Sequence, residues 1–180
     1  MKARTIILWI FILIIIDQII KIVIYSFFFE THFEIIPSLF EFKPIFNDKH
    51  SYLNVLLNKK FSIDLGLWFH MGLFLFGEII FLAFYFYMRK NITGNKTLLD
   101  IVIIFQSAGL ICGLIGNLIW EKGTLDYIYL KPLFIFDLKD LYLNCFAVLF
   151  LVYLHKNRFQ TKTIKLKDII LNIKESINAK

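Results

Sequence analysis

Asp126 and Asp140 are the two residues of this 180-residue chain whose type and setting suit hydrolytic chemistry. Two carboxyls brought close cannot both ionise cheaply, so one titrates higher, the other lower, and the pair holds a proton as a unit. The ionised member can take a proton from water while the protonated one polarises a carbonyl. That suffices for peptide hydrolysis without a metal or a nucleophilic side chain. The competing reading is an Asp that faces water or caps a helix. No Ser/His/Asp arrangement is expected, because the sequence places no histidine in the outer layer of the apolar segments. His32, His50, His70 and His155 are scattered, and Cys112 and Cys145 lie in apolar stretches without CxxC spacing. No His/Cys/Glu group has ligand spacing, so no metal is expected.

These carboxyls must be positioned by membrane helices. Hydrophobic residues make up 58% of the chain and charged residues 19%, against about 45–50% and about 25% in soluble domains. The excess falls into four apolar runs, about 6–29, 65–88, 97–120 and 139–155, each close to the length that spans a bilayer. The first follows Lys2 and Arg4, but it is too long for a signal peptide. Phe27-Phe28-Phe29-Glu30 also offers no small-residue cleavage site, so it reads as a retained helix. The expected fold is an all-α integral membrane bundle of four transmembrane helices with a small extracytoplasmic β/loop element, forming one domain over 1–155. The tail 156–180 is basic, with apolar positions at roughly helical spacing, and reads as a cytoplasmic amphipathic segment on the membrane surface.

The net charge of +6 comes from basic residues gathered at the start, around Arg89 to Lys96, and in the tail. Cytoplasmic loops carry such residues, so both termini are expected inside and the mixed-sign loops 30–64 and 121–138 outside. The same distribution argues against nucleic-acid binding. Counting about 1.5 Å per residue from each helix end brings Asp17, Lys21, Asn117, Asp126 and Asp140 into one layer near the outer surface. Asp17 and Lys21 are four apart, share a helix face and can neutralise each other, which suits a positioning role. Asn117 suits a helix-end cap, an inter-helix hydrogen bond or support of the site. Gly109 and Gly113 form a GxxxG pair, with Gly116 nearby, that suits close helix packing. Glu78 lies deep in the second run without an assigned role.

The motifs carrying these residues resemble the lipoprotein signal peptidases (signal peptidase II), membrane aspartyl proteases of bacteria. Asp17-Gln18-Ile19-Ile20-Lys21 is similar to that family's D-Q-x-x-K, and Gly116-Asn117-Leu118-Ile119 to the start of G-N-L-x-D-R. Gly123-Thr124-Leu125-Asp126-Tyr127-Ile128 is similar to G-x-V-x-D-F-I, and Phe136-Asp137-Leu138-Lys139-Asp140 to F-N-x-A-D. The resemblance implies that Asp126 and Asp140 are the catalytic pair of a cofactor-free endopeptidase. Its substrate would be a prolipoprotein already carrying diacylglyceryl, met in the membrane lipid of the bacterial cytoplasmic membrane by a monomeric enzyme. It also implies a four-helix bundle with a small extracytoplasmic sheet and a surface helix, drawn mostly from 30–64. The departures are Trp120 and Glu121 for Asp-Arg, Asp137 for Asn, and Lys139 for Ala. The family's Asn before the second helix has two candidates, Asn47 and Asn58. Two other classes fit the polar pattern: a non-catalytic binding or chaperone relative, and a small transporter component using Asp17, Lys21 and Glu78.

Overall fold

The computed structural model describes residues 1–48, 52–120, 122–161, 164, 167–169 and 171. Four helices are long and apolar enough to cross a membrane. Helix α1 (Ala3–Val23) runs on into a π-helical turn at Ile24–Phe28. The other three are α3 (Gly66–Asn91), α4 (Lys96–Ile119) and α5 (Leu138–Lys156). A shorter helix, α2 (Tyr52–Phe61), precedes α3, and α6 (Arg158–Thr161) follows α5. Glu121 and most of the basic tail fall outside the described residues.

Helix α4 is the hub. In its most apolar stretch 61% of residues are buried, against 11–17% in the other three. Its small residues explain this. A Cβ added to Gly109 would meet the Leu143 side chain at 2.7 Å and the Lys139 carbonyl at 3.3 Å, so α5 lies directly on α4 there. Gly113 faces Phe74 of α3 in the same way. Ala108 and Cys112 pack with Tyr142, Leu13 and Ile14, bringing α1 and α5 onto one face of α4. Large apolar side chains such as Phe11, Phe76 and Leu151 point outward and are exposed. A hydrocarbon surround makes that arrangement cheap, since only backbone polar groups must be satisfied internally.

The connections form a four-stranded antiparallel sheet in the order β1 (Phe33–Ile36), β2 (Phe40–Asn47), β3 (Thr124–Leu130), β4 (Phe134–Phe136). As expected, 30–64 supplies most of the element of sheet and surface helix, namely β1, β2 and α2, while the 121–138 connection adds β3 and β4. Between Phe42 and Ile45 the register with β3 slips by one residue. Pro44 lies in that interval and has no N–H to give the ladder, which is where a bulge belongs. Beyond the bulge, Ile45 pairs with Asp126 and Asn47 with Thr124. Tyr25, Phe29, Phe46 and Trp120 pack edge to edge with ring centroids 5.1–5.8 Å apart, joining the end of α1, β2 and the end of α4.

Candidate active site

Asp126 sits in the middle of β3 with 2% of its surface exposed. Side chains on a strand alternate between faces, so the Asn47 side chain of β2 lies diagonally across from it. The Asn47 Nδ2 donates to Asp126 Oδ2 at 3.0 Å. This decides between the two asparagines raised by the sequence: Asn47, and not Asn58, reaches the carboxylate.

Asp140 is placed by the start of α5. Asp137 is the N-cap, and its Oδ1 accepts from the Asp140 amide at 3.2 Å. Asp140 Oδ2 accepts in return from the Asp137 amide at 3.2 Å, completing a capping box. The box satisfies two otherwise orphan backbone donors and fixes Asp140 in the helix's first turn. Asp140 thus does contribute to a cap, and it also opens onto a cavity of about 710 Å³ together with Asp126. Its Oδ1 accepts no hydrogen bond from the described residues.

A chain of alternating charges links these carboxylates to α1. Lys21 Nζ lies 2.8 Å from Asp17 Oδ2 and 2.7 Å from Asp137 Oδ2, with all three side chains fully buried. Lys139 Nζ lies 2.9 Å from Asp137 Oδ1, 3.1 Å from Asp126 Oδ1 and 3.4 Å from Asp140 Oδ2. Carboxylate oxygens of Asp126, Asp137 and Asp140 all fall within 4.8 Å of one another. Such a donor set would suit a divalent cation, but its centre is filled by the Lys139 ammonium. Burial pushes the Asp126 carboxyl above the ordinary aspartate range, Lys139 pulls it back only in part, and the negative Asp137 adds to the rise. Burial acts on Asp137 in the same direction. There the two ammoniums of Lys139 and Lys21 outweigh it and hold the carboxyl below the ordinary value.

Of the residues picked out by sequence, Asp17, Lys21, Asp126 and Asp140 converge on this cluster. Asn117 is buried, and its amide turns back to donate to the Gly113 carbonyl at 2.8 Å in its own helix. Asp137 and Lys139 are central to the geometry and went unassigned in the sequence reading. The available signal was that both depart from F-N-x-A-D, with opposite charges two residues apart. His70 corrects another expectation. It lies in the second turn of α3, near the end of the helix that follows the sheet and α2, with Nδ1 2.7 Å from the Gly66 carbonyl. Four residues into α3, whose start matches the expected run within one residue, this ring is close to the layer from which histidine was expected to be missing. Glu78 accepts from Ser107 Oγ at 2.7 Å, an α3–α4 tie.

The fold is shared with two solved structures, each described as a bacterial membrane enzyme determined by the in meso method, at 2.3 Å and 1.9 Å resolution. The first is 21% identical, with a TM-score of 0.64 over 91% of this chain and 95% of the other. The second is also 21% identical, with a TM-score of 0.62 over 84% of this chain and 93% of the other. No curated protein matches the sequence. The sequence profile of one family, signal peptidase (SPase) II, peptidase A8, matches residues 9–156, from the first membrane helix through the last. The chain therefore belongs to the signal peptidase II family, bacterial membrane aspartic peptidases that act on lipoprotein precursors.

Proposed function

We propose that Asp126 and Asp140 are the catalytic pair with which this chain removes signal peptides from diacylglyceryl-modified prolipoproteins. The observation that carries this is their convergence. Two carboxylates, one from β3 and one from the first turn of α5, open together onto one cavity at the junction of sheet and bundle. Asp140 Oδ1 is the base toward water. Asp126, both of whose oxygens accept from Asn47 or Lys139, fixes the other side of the attacking molecule. Water attacks the scissile carbonyl carbon, Asp140 takes its proton, and that proton passes to the leaving nitrogen as the C–N bond breaks. Asp17 and Lys21 are positioning residues that act through Asp137, and Asn117 supports the end of α4.

The cavity walls suit the substrate class. Val55, Phe74, Leu133, Phe134 and Leu143 give an apolar lining beside the polar end. That combination accommodates acyl chain and apolar peptide while a few polar groups set orientation. The enzyme is a multi-pass monomer of the bacterial cytoplasmic membrane, both carboxylates being supplied by a single chain. Its sheet lies on the outer side and its termini inside. Basic residues support that orientation: Lys2, Arg4, Arg89, Lys90, Lys96, Lys156 and Arg158 all sit at helix ends away from the sheet.

The test uses purified protein in detergent with a lipid-modified prolipoprotein. Asp126→Asn and Asp140→Asn should each abolish cleavage while leaving the protein folded. Full activity in either variant removes that residue from the chemistry.

A further inference from the structure

The geometry points to Lys139 as a third catalytic residue: its ammonium, held by Asp137 between Asp126 and Asp140, polarises the scissile carbonyl in place of a proton shared by the two aspartates. This rests on the assignment of Asp126 and Asp140 as the catalytic pair.

The position of the ammonium is what singles it out. An ammonium has three N–H donors and no acceptor. Lys139 Nζ lies 2.9–3.4 Å from one oxygen on each of three carboxylates, two of them the proposed catalytic pair. Its side chain also lines the cavity that Asp126 and Asp140 open onto. The plainer reading is that Lys139 only neutralises Asp137. Asp137, however, already has the Lys21 ammonium at 2.7 Å on its other oxygen, and its Oδ1 also serves as the N-cap acceptor. Lys21 is shared with Asp17, so Lys139 also serves Asp137, but the catalytic pair has no other cation within ion-pair distance among the described residues.

The charges of Asp137 and Lys139 cancel, so together they leave the cluster's total unchanged while moving a positive charge into the mouth of the pair. Two ionised carboxylates with one ammonium carry −1, the same as two carboxyls sharing one proton. The ammonium then stands where the shared proton would. As water attacks the carbonyl carbon, the C=O π electrons move to oxygen, where the Lys139 N–H that gives up its long 3.4 Å contact with Asp140 Oδ2 meets the developing charge. Asp140 takes the water proton and returns it to the leaving nitrogen when the C–N bond breaks. Lys139 stays an ammonium throughout, so no further acid is consumed. A fixed cation at a developing oxyanion acts in the transition state more than in the ground state, which is what accelerates the step.

The decisive variant removes both departures together, Asp137→Asn with Lys139→Ala, so that no buried charge is orphaned. The substrate is the lipid-modified prolipoprotein, and folding is checked by thermal unfolding in detergent. We expect kcat to fall by about 10²-fold, the usual cost of one lost oxyanion donor, with KM within threefold. The alkaline limb of the pH profile should move at least one unit lower, because the two carboxyls must then keep a proton between them. The other charged groups facing Lys139, namely Asp17 and Lys21 of α1 and the pair itself, are unchanged in this variant. If the double variant does not fold, Lys139→Gln alone keeps a neutral donor beside Asp137 and should show the same loss in kcat. A fall of less than tenfold, a loss confined to KM, or an unmoved alkaline limb makes Lys139 a structural counter-ion and overturns the proposal. The single variants Asp126→Asn and Asp140→Asn separate the two ideas. If they are inactive while the Lys139 variants cleave normally, only the role of Lys139 fails; if they are active, the pair itself is misassigned.

Discussion

Replacing Lys21 by Met tests whether the buried charge chain holds the site together. The substitution keeps the length and apolar stem of the side chain and deletes its ammonium. Two carboxylates lose a partner at once: Asp17, at 2.8 Å, and Asp137, at 2.7 Å, both fully buried. Breaking one buried ion pair by removing a single partner costs about 3–5 kcal/mol, because the remaining charge stays desolvated. Asp17 keeps the Gln18 Nε2 donor at 2.8 Å, and Asp137 keeps both Lys139 Nζ at 2.9 Å and the Asp140 amide at 3.2 Å. The expected loss therefore lies near the lower end, about 3 kcal/mol for the two together. For a chain of this size about 2–4 °C of melting temperature follows each kcal/mol, giving a fall of roughly 6–12 °C. The assay is thermal unfolding of purified protein in one detergent, repeated with Asp17→Asn added to Lys21→Met. Removing the orphaned carboxylate should recover at least half of the loss, since the penalty resides in that charge. A single variant within about 1 kcal/mol of the parent, or a double variant no better than the single, would refute the reasoning; an exposed ion pair behaves that way.

Two further outcomes follow from the same geometry. Asp126→Asn should raise the melting temperature at pH 8 while abolishing cleavage. The folded Asp126 value lies above its unfolded one, so this carboxyl favours the fold below its ordinary value near pH 4 and opposes it once pH rises through the raised value. The gap between variant and parent should close as the buffer is taken down to pH 4, and a variant less stable than the parent at pH 8 contradicts the sign. Gly123→Ala should destabilise and slow the enzyme together. Gly123 has φ +93°, and an added Cβ would stand 2.1 Å from the Asn47 carbonyl oxygen. The backbone conformation alone costs about 1–3 kcal/mol, and relieving the clash must shift the strand that presents Asn47 to Asp126. Unaltered activity in Gly123→Ala would mean that the end of β2 is free to move without consequence.

The four apolar runs were legible because hydropathy over about 20 residues is a long-range average that local detail cannot hide. The observed helices begin and end within a few residues of the runs. Asp126 and Asp140 stood out in the sequence because they lie just beyond apolar runs, where carboxyls contrast with an apolar background, and the structure brings them onto one cavity. The pairing of β2 with β3 was not legible. It joins segments roughly 80 residues apart, and its register depends on a bulge at Pro44 that no local pattern announces. Asn47 was ambiguous for the same reason, since choosing it over Asn58 requires knowing which strand lies beside Asp126. Lys139 and Asp137 were visible as departures, with Lys139 beside Asp140, but their pairing with each other was not. That Lys21 from α1 also reaches Asp137 depends on how closely α1 and α5 approach around α4, which Leu13, Cys112 and Tyr142 set through packing and through the Tyr142 hydroxyl, which donates to the Leu13 carbonyl at 3.1 Å. His70 was misjudged because its depth was not counted from the helix start at Gly66.

The order of parts along the chain has a consequence for biogenesis. Asn47 is made early, Asp126 comes 79 positions later, and Asp140, Asp137 and Lys139 arrive only with the last membrane helix. Strands β1 and β2 therefore leave the insertion machinery without β3, with the β2 edge unpaired. While the chain is still emerging, the proposed centre is incomplete: on that assignment a ribosome stalled anywhere before α5 would leave an inert precursor that cannot attack neighbouring membrane proteins. Competence begins when α5 docks along the Gly109 surface and its first turn closes the ring of charges.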